Sequence, residues 1–398
     1  MPSLSRSADG PAPAVVSVAA LVLVSLALRP QVAAIGPLAT LIRDDLGASH
    51  AVLGLLTTIP VLCMGLFAPF GLPLARRLGP RRAIAVSVAL VALFGVARVA
   101  APAIEVILLL TFGVGLGMGM SGPVLAMFVR SRMPTRLLLG TSAYASGTVI
   151  GAALAAAIVV PIAMAASSWR APLLGLSVAA AIGVIAWLML ATPDPARDPG
   201  APSGSAWPKM PWRRGVAWML GLAFGMQSWL YYGAIAWLAS TYIERGWRTE
   251  DAGLLITVLS LAIFGATLLV PSFGRWLPHR RQQLVFSAVL STIGLLGVSL
   301  VPGPAFLWAV ILGAGLGSYF ALVLTLPTDV SHEPAEVGSM AALMLLVGYL
   351  IAAAAPFVLG AARDITGNFS ASLWLLVGIS AALLPVSWTL TPEHLRRR

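Results

Sequence analysis

Apolar and polar positions alternate along this chain in long blocks, with apolar runs separated by short breaks of Pro, Gly and charge. Twelve runs emerge, near 14–42, 50–74, 83–101, 105–130, 138–166, 171–191, 215–242, 251–274, 283–301, 304–327, 337–361 and 371–391. Each approaches or exceeds the roughly 20 residues that cross a hydrocarbon core as helix. Lipid offers no partner to an unpaired N–H or C=O, so the runs must be helices. The pattern predicts an all-α membrane protein of twelve transmembrane helices. The longest polar stretch, TPDPARDPGAPSGSAWPKMPWRR (192–214), is rich in Pro, Gly and Ser. It reads as a linker between an N-terminal six-helix half (1–191) and a C-terminal one (215–398).

Composition agrees with this reading. Hydrophobic residues make up 59% of the 398 and charged ones 10%, with mean hydropathy +0.93, too little charge to cover a soluble surface. The net charge of +11 does not point to nucleic acid, because the basic residues fall in short loops between apolar runs. One side collects Arg6, Arg76, Arg77, Arg81, Arg82, Arg130, Arg132, Arg136, Arg197, Lys209, Arg213, Arg214, Arg275, Arg280, Arg281 and Arg396–Arg398. The other has only Arg43, Arg170, Arg245, Arg248 and Arg363. Eighteen against five predicts that both termini and the linker are cytoplasmic. The opening MPSLSRSADGPA is polar, and the run after it is too long for a signal peptide's apolar region, so no cleaved leader is expected. Cys63, the single cysteine, excludes an intramolecular disulfide and reads as a small core residue.

The two halves echo one another. FGVGLGM (112–118) and LGAGLGS (312–318) match at an offset of 200, as do SRMP (131–134) and SHEP (331–334). IRDDLGASHAVLGLL (42–56) has a weaker counterpart in IERGWRTEDAGLL (243–255). Parallel repeats of this kind place a substrate site between the halves, near the bilayer midplane.

Six plus six spans with a long middle loop resembles the major facilitator superfamily. LPLARRLGPRR (72–82) resembles that family's loop motif, with Leu74, Ala75, Arg77, Gly79 and Arg81 in matching positions. Arg76 stands where the family has an acidic residue. The resemblance implies a gating role for Arg76, Arg77, Gly79 and Arg81, without the family's acidic partner. LRPQVAAIGPL (28–38), GLLTTIPVLCMGLFAPF (54–70) and GMQSWLYYGAIAWLASTYIERG (225–246) resemble the branch that holds cyanate permeases and 2-nitroimidazole transporters. That implies alternating access in a bacterial inner membrane.

One residue carries most of the candidate chemistry. Arg29 lies about 20 Å from either end of its run at ~1.5 Å per residue, too far to snorkel. An intramembrane Arg costs at least ~2.5–3.5 kcal/mol, and no Asp or Glu falls well inside any run. A planar guanidinium suits a carboxylate-like anion, so Arg29 is expected to bind one; a structural Arg capped by backbone carbonyls is the alternative. Pro30 cannot donate to the carbonyl of Leu26, so the helix should loosen beside it. Gln227 and Tyr231, four apart, are expected to face Arg29 from span seven, with Trp229 and Tyr232 beside them; helix–helix glue is the alternative. Tyr319 and Tyr349 complete the substrate-binding candidates, with packing as their other reading. Arg98, three residues from a run's end, is expected to snorkel to water.

His50, His279, His332 and His394 sit scattered in or beside loops, and no phosphate loop, nucleophile elbow or paired carboxylate appears. No enzyme, cofactor or metal is expected. The sequence predicts a monomeric secondary transporter in the lipid bilayer, moving a small anionic or polar organic solute. A drug or nitroaromatic exporter is the alternative, as is a membrane sensor or scaffold without flux.

Overall fold

The computed structural model describes residues 11–133, 136–191, 210–270, 272, 276–330 and 333–390. Among these every regular element is helical. The first span is built in three pieces, α1 (Pro11–Leu26), α2 (Pro30–Ala33) and α3 (Ile35–Leu46). Pro30 lacks the N–H that would close the next turn, and the chain crosses residues 27–29 as a turn before resuming. The second span is α4 (His50–Leu66) followed by α5 (Ala68–Leu78), bent by 60°. Pro69 opens α5 and Pro73 lies inside it, and each withholds a backbone donor.

Single helices form the rest: α6 (Pro80–Ala100), α7 (Ile104–Arg132), α8 (Leu137–Ala165), α9 (Arg170–Leu190), α10 (Gly215–Glu244), α11 (Thr249–Leu269), α12 (Arg280–Leu300), α13 (Ala305–Val330), α14 (Pro334–Thr366) and α15 (Ser370–Thr389). Ten described segments are long and apolar enough to cross a membrane, and the bent pair makes eleven. The twelfth predicted span is α10. It is 30 residues long but diluted by Gln227, Ser228, Trp229, Tyr231 and Tyr232. It tolerates them because it touches protein on almost every side, with Tyr232 to Tyr242 continuously buried. A helix enclosed by other helices has no need of an all-apolar surface. Of the 192–214 stretch, residues 192–209 lie outside those described.

The first six spans meet the last six along two seams, α4 against α14 and α8 against α11, and α3 packs on α10. Glycine sets the approach. A β-carbon at Gly36 would overlap the Ile235 carbonyl, and one at Gly54 the Pro356 carbonyl. Thr58 Oγ1 donates to the Ala353 carbonyl across the same seam (2.6 Å). These contacts lie between the middle of the molecule and its Arg-poor side. Toward the Arg-rich side the bend carries α5 onto α7 and α6.

The repeat is visible in the contacts, in a shifted register. Gly115 of α7 packs on Pro60 and Cys63 of α4, and Gly117 on Ser87 of α6. Their partners by contact are Gly313, packed on Leu259 of α11, and Gly315, packed on Ser287 and Ser291 of α12. The sequence offset of 200 is therefore 198 where these helices touch. The alternating glycines let the motif match itself at either spacing.

Candidate functional site

Arg29 occupies the break between α1 and α2, where its carbonyl accepts from the N–H groups of Val32 and Ala33 (both 3.1 Å) and starts the short helix. Its half-buried side chain leaves the first span and donates from Nη1 to the Tyr232 hydroxyl of α10 (2.9 Å). Tyr231 and Tyr349 lie within electrostatic reach of the same guanidinium. The rings of Tyr231 and Tyr232 meet edge-on at 4.9 Å, and Phe224 backs Tyr349 at 5.2 Å. Tyr232 also directs its hydroxyl at Met64 Sδ of α4 (3.7 Å). The group is a cation from the α1–α2 break walled by phenols of α10 and α14, with Met64 of α4 beside them. Among the described residues no carboxylate forms an ion pair with Arg29.

Three candidates lie elsewhere. Gln227 is buried and donates to the Leu316 carbonyl of α13 (3.2 Å), while Ser228 donates to its Oε1 (3.1 Å). Gln227 and Tyr231 do not present one face to Arg29. Tyr319 is fully buried, its hydroxyl 2.9 Å from Ser387 Oγ of α15. Trp229 packs half-buried against the large core, its Nε1 without a partner among the described residues.

Arg98 departs most from expectation. It is 1% exposed, and instead of reaching out to water its side chain turns into the protein. Nη2 donates to Gln31 Oε1 (2.5 Å) and to the Gln31 carbonyl (3.2 Å). Gln31 Nε2 in turn donates to Ser177 Oγ (2.9 Å), which donates to the Leu173 carbonyl (2.7 Å). This chain ties α2, α6 and α9 together beside Arg29.

The loop motif is a structural corner. Gly79 adopts φ +85°, capping α5 and starting α6, a backbone conformation that a β-carbon strains. Arg76 and Arg77 are exposed. Arg81 is bound to α9 through the Leu188 carbonyl, and its own carbonyl accepts from Trp187 Nε1 (2.9 Å).

At the Arg-poor side His50, 7% exposed, begins α4 against Asp364 of α14. Asp364 Oδ1 accepts from the His50 backbone N–H (3.1 Å) and lies 2.7 Å from His50 Nδ1; its Oδ2 accepts from the Ala51 N–H (2.8 Å). Arg43 Nη1 lies 3.2 Å from His50 Nε2. A guanidinium only donates, so Nε2 is the acceptor and the proton sits on Nδ1, facing Asp364. A carboxylate capping the free N–H groups of a helix is a strong contact, and this one joins the two sets of six spans. By sequence this histidine stands beside a loop, and its partner lies 314 residues away.

Known proteins supply the remaining context. The sequence profile of the Major Facilitator Superfamily matches residues 21–356. The chain is 31% identical to a cyanate transport protein of Escherichia coli (strain K12) over 350 residues, covering 88% of this chain and 90% of that one. It is 30% identical to a 2-nitroimidazole transporter of the same organism over 362 residues, covering 90% and 91%. Its fold is similar to that of a D-xylose–proton symporter, with TM-score 0.77 over 96% of this chain and 98% of that one, at 14% identity.

Proposed function

The chain belongs to the Major Facilitator Superfamily, and from that premise we propose that it carries a small anionic or polar organic solute by alternating access. In this reading the moving bodies are the halves 1–191 and 215–398, joined by 192–214. The carrier sits in a bacterial inner membrane with both termini and the linker cytoplasmic, as the eighteen-to-five Arg and Lys count supports.

The observation that carries the proposal is the bond from Arg29 to Tyr232. It sets a permanent cation from one half against a neutral phenol from the other, with no carboxylate paired to it among the described residues. A fork of five N–H donors in a low-dielectric enclosure favours an anion strongly over water. Cyanate, named for one relative, is a small monoanion. Once bound, the anion neutralises Arg29, so the loaded carrier crosses its occluded state without a bare buried charge. Both halves touch the ligand, so binding draws them together. The contacts concentrated on the Arg-poor side, with α5 bent away on the other, support a state closed at one mouth.

A second reading, export of a nitroaromatic compound, draws support from the flat walls of Tyr231, Tyr232 and Tyr349. Flux in proteoliposomes separates the two, using a panel of cyanate, nitrite, formate and other small anions beside nitroheterocycles. The proposal expects saturable flux of at least one small anion. Flux of nitroheterocycles alone would support the exporter. Absence of all flux, with ligand-dependent thermal stabilisation retained, would identify a sensor.

A further inference from the structure

Arg29 is half-buried, and near it in the first six spans lies an arginine that is fully buried, Arg98. Arg98, from α6, is bonded through Gln31 to the main chain and side chain of α2, the short helix that follows Arg29. Its Nε and Nη1 have no hydrogen-bond partner among the described residues, and the acceptors it does have are a neutral amide and a backbone carbonyl. A buried charge with no ionic partner carries a desolvation cost that bonds to a neutral amide and a carbonyl only partly offset. Packing therefore gives little reason for a guanidinium here, whereas its charge gives one.

We propose that Arg98 is a positioning residue for the Arg29 site and its second source of positive field. The proposal rests on the reading of Arg29 as an anion-binding group. Through Gln31, Arg98 pins the first turn of α2 against α6 and α9 and so fixes the backbone from which Arg29 reaches Tyr232. Its charge is carried by a side chain that cannot lose its proton at neutral pH. In a low-dielectric interior that field acts across several residues with little screening. The site is then tuned for a full negative charge, and a neutral dipolar solute gains far less from the arrangement.

The test reads the field directly and needs no knowledge of the transported solute. In a Cys63→Ala background, Tyr349→Cys places a thiol beside Arg29. The ratio of its modification rates by an anionic and a cationic thiosulfonate reports local potential, because accessibility cancels. Arg98→Met combined with Gln31→Leu removes the charge together with its main acceptor, leaving no stranded amide, and protects folding. The ratio should fall at least threefold in that variant and stay within twofold of the parent in Arg98→Lys. A ratio unchanged in the double variant would overturn the proposal. Failure of every anion in the flux panel would count against the proposed function while leaving this ratio readable.

Discussion

Arg29 and Tyr232, 203 residues apart in the chain, are joined by a 2.9 Å hydrogen bond at the centre of the molecule. The cation comes from a break in the first span and the phenol from the most enclosed helix. Tyr232 accepts from Arg29, which leaves its own proton free; in this state that proton is directed at the weak acceptor Met64 Sδ. An anion beside Arg29 offers a far better acceptor. Tyr232→Phe should therefore weaken binding by about tenfold, the worth of one hydrogen bond to a charged group. Calorimetric titration with the anion that wild-type protein transports best checks this; equal affinity in the variant would show that the hydroxyl stays with Met64 or Arg29.

Asp364 gives a prediction about the closed mouth. It caps α4 through two backbone N–H groups and His50 Nδ1. Asp364→Asn keeps the shape but loses the charge, on the order of 2 kcal/mol of the contact. The equilibrium should then move toward the form open on the Arg-poor side by roughly thirtyfold. A cysteine at Ala353, buried in the α4–α14 seam, should react with an impermeant maleimide added from that side at least ten times faster. An unaltered rate would show that the seam holds without this contact.

Two glycines separate closing from folding. Gly36 meets the Ile235 carbonyl across the two sets of six spans, while Gly117 meets the Ser87 carbonyl within the first set. Gly36→Val should fold, keep its melting temperature within a few degrees and stop flux, because only the closed form needs the approach. Gly117→Val overpacks a contact present in every state and should destabilise by about 1–3 kcal/mol. Thermal unfolding beside flux measures both; a Gly36→Val carrier with normal flux would remove the seam from the transport cycle.

Much of this was legible in the sequence, and the exceptions share a cause. Apolar run length found the spans, because the membrane imposes it on each helix separately. Arg29 stood out because distance to a helix end is also a one-dimensional quantity. The same measure fails for Arg98: its helix end is near, but reach says nothing of direction, and the side chain turns inward to Gln31. The four residues LRPQ (28–31) carry a signal for it, a polar amide beside the break. Spacing placed Gln227 and Tyr231 on related faces of α10 but not the rotation of that helix, which turns Gln227 to α13. His50 and Asp364 meet only through the fold, and no local pattern joins them.

The central claim, that Arg29 is held at mid-membrane to bind an anion, is tested most directly by titrating purified Arg29→Ala and Arg29→Lys with the best-transported anion. The account predicts that Arg29→Ala elutes as a single folded species and loses at least a hundredfold in affinity. Arg29→Lys should recover part of it, because the charge remains but the planar fork is lost. Binding by Arg29→Ala within threefold of wild type, or an aggregated Arg29→Ala beside a fully active Arg29→Lys, would contradict the claim and make Arg29 a structural residue.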